Sequence, residues 1–259
     1  MATQQLLEAH GLVKRYGGRT VVDGVSFHVG KSEIVGLLGR NGAGKTTSFR
    51  ITIGMIDADA GRVIFDGRDV SGLAMYRRAR LGMGYLSQEP SVFSRLTVAE
   101  NIDAILEVMR LPRRERLKRR EELLEQFHLT HKRNEQARTC SGGERRKLEI
   151  ARALVTRPRL ILLDEPFSGV DPLAVEDLQH EIRRLEDMGI AVLITDHNVQ
   201  QTLRVCDRAY IINEGKVLRE GTPRELINDE VVRRSYLGSL FRGDEFDDVV
   251  SAGPARGGA

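Results

Sequence analysis

The sequence predicts an α/β fold in which a parallel sheet carries the chemistry and a helical subdomain is inserted into it. Three observations carry this. An apolar run at residues 34–38 leads through a glycine-rich turn into a helix. Residues 160–195 read as strand, helix and strand, an order that needs parallel pairing because the chain must return to the same end of the sheet. From about residue 96 the composition switches to helix-forming Leu, Arg and Glu.

In chain order, short apolar or alternating runs at 21–29, 34–38 and 62–65, broken by Gly-containing turns, read as strands. One helix interrupts them, from near Gly44 toward Ile53. Residues 96–129 then place Leu117, Leu123, Leu124 and Phe127 at helical spacing, and a helical subdomain over about 96–156 follows. The basic residues Arg113, Arg114, Arg116, Lys118, Arg119 and Arg120 are interleaved with Glu115, Glu121, Glu122 and Glu125 at i,i+4-type offsets. They read as a solvated helix face rather than a binding patch. A helix over 145–156, the strand 160–163, a helix over about 173–188 and the strand 191–195 complete a core spanning residues 1–242. The tail 243–259 couples Asp244, Glu245, Asp247 and Asp248 to Gly, Ala and Pro without periodicity and is expected to be disordered.

Composition narrows the function. With 41% apolar and 30% charged residues the chain is of globular type, and 40 Lys plus Arg against 37 Asp plus Glu leave a net charge of only +3. That is far less than a chain built to neutralise a phosphate backbone would carry, so nucleic acid is not the expected partner. Two cysteines, Cys140 and Cys206, with no metal-type spacing to His, fit a reducing, cytoplasmic compartment. No stretch approaches the roughly 18 consecutive apolar residues of a spanning helix, so membrane contact is expected only through partners.

The string Gly39-Arg40-Asn41-Gly42-Ala43-Gly44-Lys45-Thr46 fits G-x-x-x-x-G-K-[ST] between a strand and a helix. Backbone N–H groups freed by the glycines cradle the phosphates of a nucleoside triphosphate, Lys45 adds a point charge, the Thr46 hydroxyl suits Mg²⁺, and Thr47 follows at the helix start. The apolar run 160–163 ends in Asp164 and Glu165. A strand-ending turn produces the same bare pattern, and its value comes from partnership with the phosphate loop: Asp164 to hold Mg²⁺ through its water shell, Glu165 to polarise the attacking water. Cys140-Ser141-Gly142-Gly143-Glu144 puts a hydroxyl and free N–H groups at a second helix start, a second anion site. One nucleotide does not need two such termini, so the second is expected to face the γ-phosphate held by another copy, two chains sandwiching two ATP molecules.

These motifs, in this order, resemble the nucleotide-binding subunits of ABC transporters. The resemblance implies a P-loop NTPase fold of the ABC type, with an antiparallel β subdomain and an inserted helical subdomain, and ATP hydrolysis with Mg²⁺ coupled to transport. It also implies roles for single residues: Tyr16 stacks on adenine, Gln88 senses Mg²⁺ and the membrane partner, His197 contacts the γ-phosphate, and Asp171 of Ser168-Gly-Val-Asp171 communicates between the two sites of a homodimer. Cys140 stands where that family commonly has Leu, and a packing change without loss of the anion site is expected. Phe93, after Gln88 with Pro90 and Val92, is the expected anchor for a membrane-embedded subunit.

Over about residues 5–242 the strings Tyr85-Leu-Ser-Gln-Glu-Pro-Ser-Val-Phe93, Asp164-Glu-Pro-Phe-Ser-Gly-Val-Asp171, Thr195-Asp-His-Asn198 and Tyr236-Leu-Gly-Ser-Leu-Phe-Arg242 resemble the ATPases of lipopolysaccharide export machines. That implies a homodimer under two transmembrane subunits at the cytoplasmic face of the inner membrane. The ATPases of branched-chain amino-acid importers share part of the pattern and are the rival. Soluble ABC ATPases that act on ribosomes or DNA usually carry two phosphate loops or a long coiled-coil insert, and neither is present. Glu165 and His197 together argue against a binding module that has lost hydrolysis.

Overall fold

The computed structural model describes residues 5–89 and 91–237; Pro90 and the tail 243–259 lie outside the described residues. Two sheets organise the chain. The first is antiparallel, in the order β2-β1-β4-β5, from β1 (Gln5–Tyr16), β2 (Arg19–Gly30), β4 (Ala60–Phe65) and β5 (Arg68–Asp69). The second has the order β10-β9-β3-β8-β7-β6, from β3 (Ile34–Gly39), β6 (Met83–Leu86), β7 (Leu160–Asp164), β8 (Ala191–Thr195), β9 (Arg208–Asn213) and β10 (Lys216–Gly221). Within it β3, β6, β7, β8 and β9 pair parallel, and only β10 runs antiparallel at the edge.

Parallel pairing is written into residue type: β3, β7 and β8 are buried at every position, as strands covered on both faces must be. It also decides where the site lies. The loops leaving β3, β6, β7 and β8 all emerge at one end of the sheet, where α/β folds place their ligands. Leu86 pairs with Leu163 and Asp164 with Thr195, so these exits are in register.

The helices are α1 (Lys45–Ile53), α2 (Met75–Arg80), α3 (Val98–Leu106), α4 (Arg113–Gln126), α5 (Gly142–Leu154), α6 (Pro172–Asp187), α7 (Val199–Leu203), α8 (Pro223–Asn228) and α9 (Glu230–Val232). Two large apolar clusters divide the interior. One joins α3, α4, α5 and α6 to a face of the parallel sheet through Leu106, Leu124, Phe127, Leu148 and Ile182. The other fills the space between the two sheets and around α1 through Leu7, Phe27, Leu37, Phe49 and Phe65. No helix among the described residues is long and apolar enough to cross a membrane.

Two details of α4 differ from the sequence reading. Leu117 is 40% exposed, so its apolar stripe is only Leu123, Leu124 and Phe127. Arg119 leaves the solvated face: it is buried, and its Nη2 donates to Leu154 O at 2.9 Å, meeting a carbonyl at the end of α5. Of the i,i+4 pairs expected within this helix, one forms, Lys118 with Glu122 at 3.6 Å. Arg120 instead reaches Asp103 on α3 at 2.7 Å.

Candidate nucleotide site

The phosphate loop is shaped by space as much as by conformation. A Cβ on Gly39 would stand 2.1 Å from Ile212 O, and Gly44, at φ 104°, would put one 2.6 Å from Val21 O. Gly44 also occupies the N-cap of α1 and supplies no capping side chain. In α3, α5 and α8 a Thr or Ser with a Glu three residues on closes a capping box over the first N–H groups. The first N–H groups of α1 have no such partner and are open to an anion.

Lys45 is 6% exposed and its Nζ donates to Gly39 O at 2.7 Å and Arg40 O at 3.1 Å. Burial pulls its ammonium below the ordinary lysine range, and the nearby carboxylates of Glu165, Asp196 and Asp164 oppose that shift. Thr46 and Thr47 are half-buried. Arg40, Asn41, Gly42 and Ala43 line a cleft of about 760 Å³ with Arg19 and Asn213. Tyr16, half exposed, pairs with Arg19 across the β1–β2 hairpin at the edge of this cleft.

Glu165 follows β7 and lies at φ 47°, a left-handed conformation uncommon for a non-glycine residue. Two donors from other strand ends converge on its Oε2: Gln88 Nε2 donates at 2.9 Å, and His197 Nδ1 lies 3.2 Å away. Three residues singled out separately in the sequence are therefore one constellation. Asp164 is 3% exposed, pairs with no cation among the described residues, and accepts from the Tyr85 hydroxyl at 3.3 Å. Burial raises its pKa, and burial beside Asp164 pushes the Tyr85 hydroxyl up to about 12.

A buried carboxylate without a cation suits a metal, and Thr46, Gln88 and Asp164 offer only oxygen ligands, the donor set of a hard cation such as Mg²⁺. No cluster of three or more His, Cys, Asp or Glu with metal-holding geometry occurs among the described residues. A cation here would take its remaining oxygens from phosphate and water.

Ser141 is the N-cap of α5: its Oγ accepts from Glu144 N at 3.2 Å, and Glu144 Oε2 accepts from Ser141 N at 2.8 Å. That bond to the Ser141 backbone holds the Glu144 carboxyl below its usual range. The N–H groups of Gly142 and Gly143 stay outside the box. No hydrogen bond or ion pair joins residues 141–144 to the phosphate loop among the described residues, so the chain does not bring its two anion sites together. Cys140 is buried in the apolar cluster below the turn. Asp171 caps α6, its Oδ1 accepting from Ala174 N at 3.0 Å. Phe93 is 47% exposed, with the Arg152 guanidinium 4.7 Å from its ring centroid.

Sequence reasoning passed over two further residues. Asp196, fully buried, accepts from Phe167 N at 3.0 Å and Asn198 N at 2.8 Å, tying the loop after Glu165 to the loop of His197. Its signal was present: like Asp164, it closes an apolar strand just before another functional side chain. Tyr85 carried no such signal, because its bond to Asp164 depends on β6 lying beside β7.

Comparison with known proteins identifies the family. The ABC transporter family model matches residues 22–168. A probable ABC transporter ATP-binding protein of Azorhizobium caulinodans is 55% identical over 236 residues, 91% of this chain and 84% of that protein. The lipopolysaccharide export system ATP-binding proteins LptB of Haemophilus influenzae (51% over 238 residues, 92% of this chain and 99% of that protein) and Escherichia coli K12 (52% over 237 residues, 91% and 98%) are similar throughout. Among solved structures, the ADP conformation of MJ1267, an ATP-binding cassette of an ABC transporter, superposes with TM-score 0.82 at 30% identity, covering 91% of this chain and all of that one. The chain belongs to the ABC transporter family, as one of its ATP-hydrolysing subunits.

Proposed function

We propose that this chain is the ATPase of a lipopolysaccharide export machine, a homodimer at the cytoplasmic face of the inner membrane beneath two membrane-embedded subunits. The observation that carries the chemistry is the convergence of Gln88 and His197 on one oxygen of Glu165 beside the phosphate loop. What supports the cargo is the similarity to LptB proteins over more than nine-tenths of both chains.

Glu165 Oε2 is held by two donors, which orients the carboxylate and leaves Oε1 to accept a hydrogen bond from water. As that water's oxygen bonds to the γ-phosphorus, its proton passes to Glu165, the bond from phosphorus to the bridging oxygen breaks, and ADP and inorganic phosphate result. Lys45 and the first N–H groups of α1 hold the phosphate oxygens in place. Mg²⁺ bound through Thr46, Gln88 and Asp164 would neutralise charge on the β- and γ-phosphates. The Ser141-Gly142-Gly143 turn of a second copy closes over the γ-phosphate, with Asp171 linking the two sites and Tyr16 against adenine. Phe93 receives the membrane subunit.

The test is affinity purification of the full-length protein from detergent-solubilised native membranes, with identification of the co-purifying chains and lipids. Membrane subunits carrying lipopolysaccharide are the expected result; amino-acid importer permeases would move the cargo assignment and leave the ATPase reading intact.

A further inference from the structure

The C-terminal ends of α4, α5 and α6 converge on a groove of about 310 Å³ beside the starts of β7 and β8, at the end of the sheet opposite the nucleotide site. Its floor is apolar, from Leu123, Leu154 and Ile190, and Met188 stands at its wall, 48% exposed. Two guanidiniums border it, and no carboxylate pairs with either among the described residues. Arg119 is buried with one bond through its guanidinium, to Leu154 O at 2.9 Å, and Arg157 is exposed. Glu122, the acid that lines the groove, already faces Lys118 at 3.6 Å.

Arginine is rarely buried without a carboxylate, and a thioether in an apolar groove favours an aromatic ring. The partner that fits is therefore acidic and carries an aromatic side chain. This chain holds such a segment outside the described residues: Gly243-Asp244-Glu245-Phe246-Asp247-Asp248-Val249-Val250, with four acids and no base over 243–255. Its reach suffices. Leu237 packs with Leu38, and strand alternation puts Leu38 on the same face of β3 as Ile34, whose apolar cluster contains Leu123, Leu154 and Ile190. Leu237 thus lies on the face of the sheet that carries the groove, and the nine residues from there to Phe246 span up to about 30 Å.

We infer that this groove is the docking site of the chain's own acidic segment 244–250, with Phe246 against Met188 and the carboxylates beside Arg119 and Arg157. The inference stands on the groove and the segment and not on the ATPase reading, so its test reads contact rather than turnover.

The experiment irradiates full-length protein carrying p-benzoylphenylalanine in place of Phe246 and maps the cross-links by mass spectrometry. Benzophenone reacts readily with methionine, and Met55 and Met75, 47% and 39% exposed, are internal controls of similar exposure. Cross-linking to Met188 about fivefold above either control is expected, and Arg157→Glu should reduce it by about as much, the most that an exposed ion pair is worth. Equal labelling of the three methionines, or labelling of Met188 untouched by Arg157→Glu, would overturn the inference. A cross-link joining two chains would give the groove to a second copy and overturn the assignment to the chain's own segment. Should Arg157→Glu fail to fold, the protein with Arg157 in place decides at about 1 M salt, where screening should cut the Met188 cross-link about threefold. A yield indifferent to salt removes the site.

Discussion

Single residues divide into those whose chemistry shows in the sequence and those whose role exists only in the fold. Glu165 is of the first kind, and Glu165→Gln is expected to lower hydrolysis by about 10²–10⁴-fold, the usual worth of a general base, in a phosphate-release assay. The three loop glycines, all at positive φ, separate space from conformation. Gly39→Ala and Gly44→Ala drive a Cβ into backbone oxygen and should abolish ATP binding by equilibrium dialysis, whereas Gly42→Ala meets no atom within 4 Å and should retain measurable binding. Asp164 sets function against stability. Its folded pKa is raised by burial, so the folded state prefers the protonated form, and stability is lost as pH rises from the unfolded carboxylate value through the folded one. At neutral pH Asp164→Asn should therefore raise the melting temperature of the nucleotide-free protein, by about 2–4 °C per kcal/mol of relieved charge burial, while suppressing Mg²⁺-dependent hydrolysis.

At the scale of elements, what could be read was what depends on local pattern. The strand, glycine turn and helix of residues 34–53 stand where expected because apolar run, glycines and helix periodicity all lie within one stretch of chain. Pairings made across the fold left no such trace. Arg78 looks like one more base in the run 77–80, yet it is fully buried and donates to Ile51 O at 2.9 Å, Thr52 O at 2.7 Å, Leu73 O at 2.7 Å and Ser71 O at 2.9 Å. It thereby fastens the C-terminal end of α1, whose other end is the phosphate loop. Arg78→Leu strands these carbonyls and should destabilise the protein by about 3 kcal/mol or more, measured by urea unfolding. Arg119 escaped for the same reason: its charge belongs by sequence to an exposed helix face, while its partner is a carbonyl 35 residues away.

For the molecule as a whole, the separation of the two anion sites has a direct reading in solution. Glu165→Gln should run as a dimer with ATP and as a monomer without nucleotide, by light scattering on a sizing column, since in the proposed dimer the bridge is the nucleotide itself. The loop of Phe93, proposed to meet the membrane subunit, is held from the same helix that carries the Ser141 turn. Along one face of α5, Arg146 donates to Ser87 O, Glu149 accepts from Ser91 N, and Arg152 donates to Ser91 O while covering Phe93. These anchors lie three residues apart on a rigid rod of 13 residues, about 20 Å long. On the proposed function the helix is a lever with a nucleotide at one end and a membrane protein near the other, and a tilt forced at Phe93 is expected to reappear at Ser141.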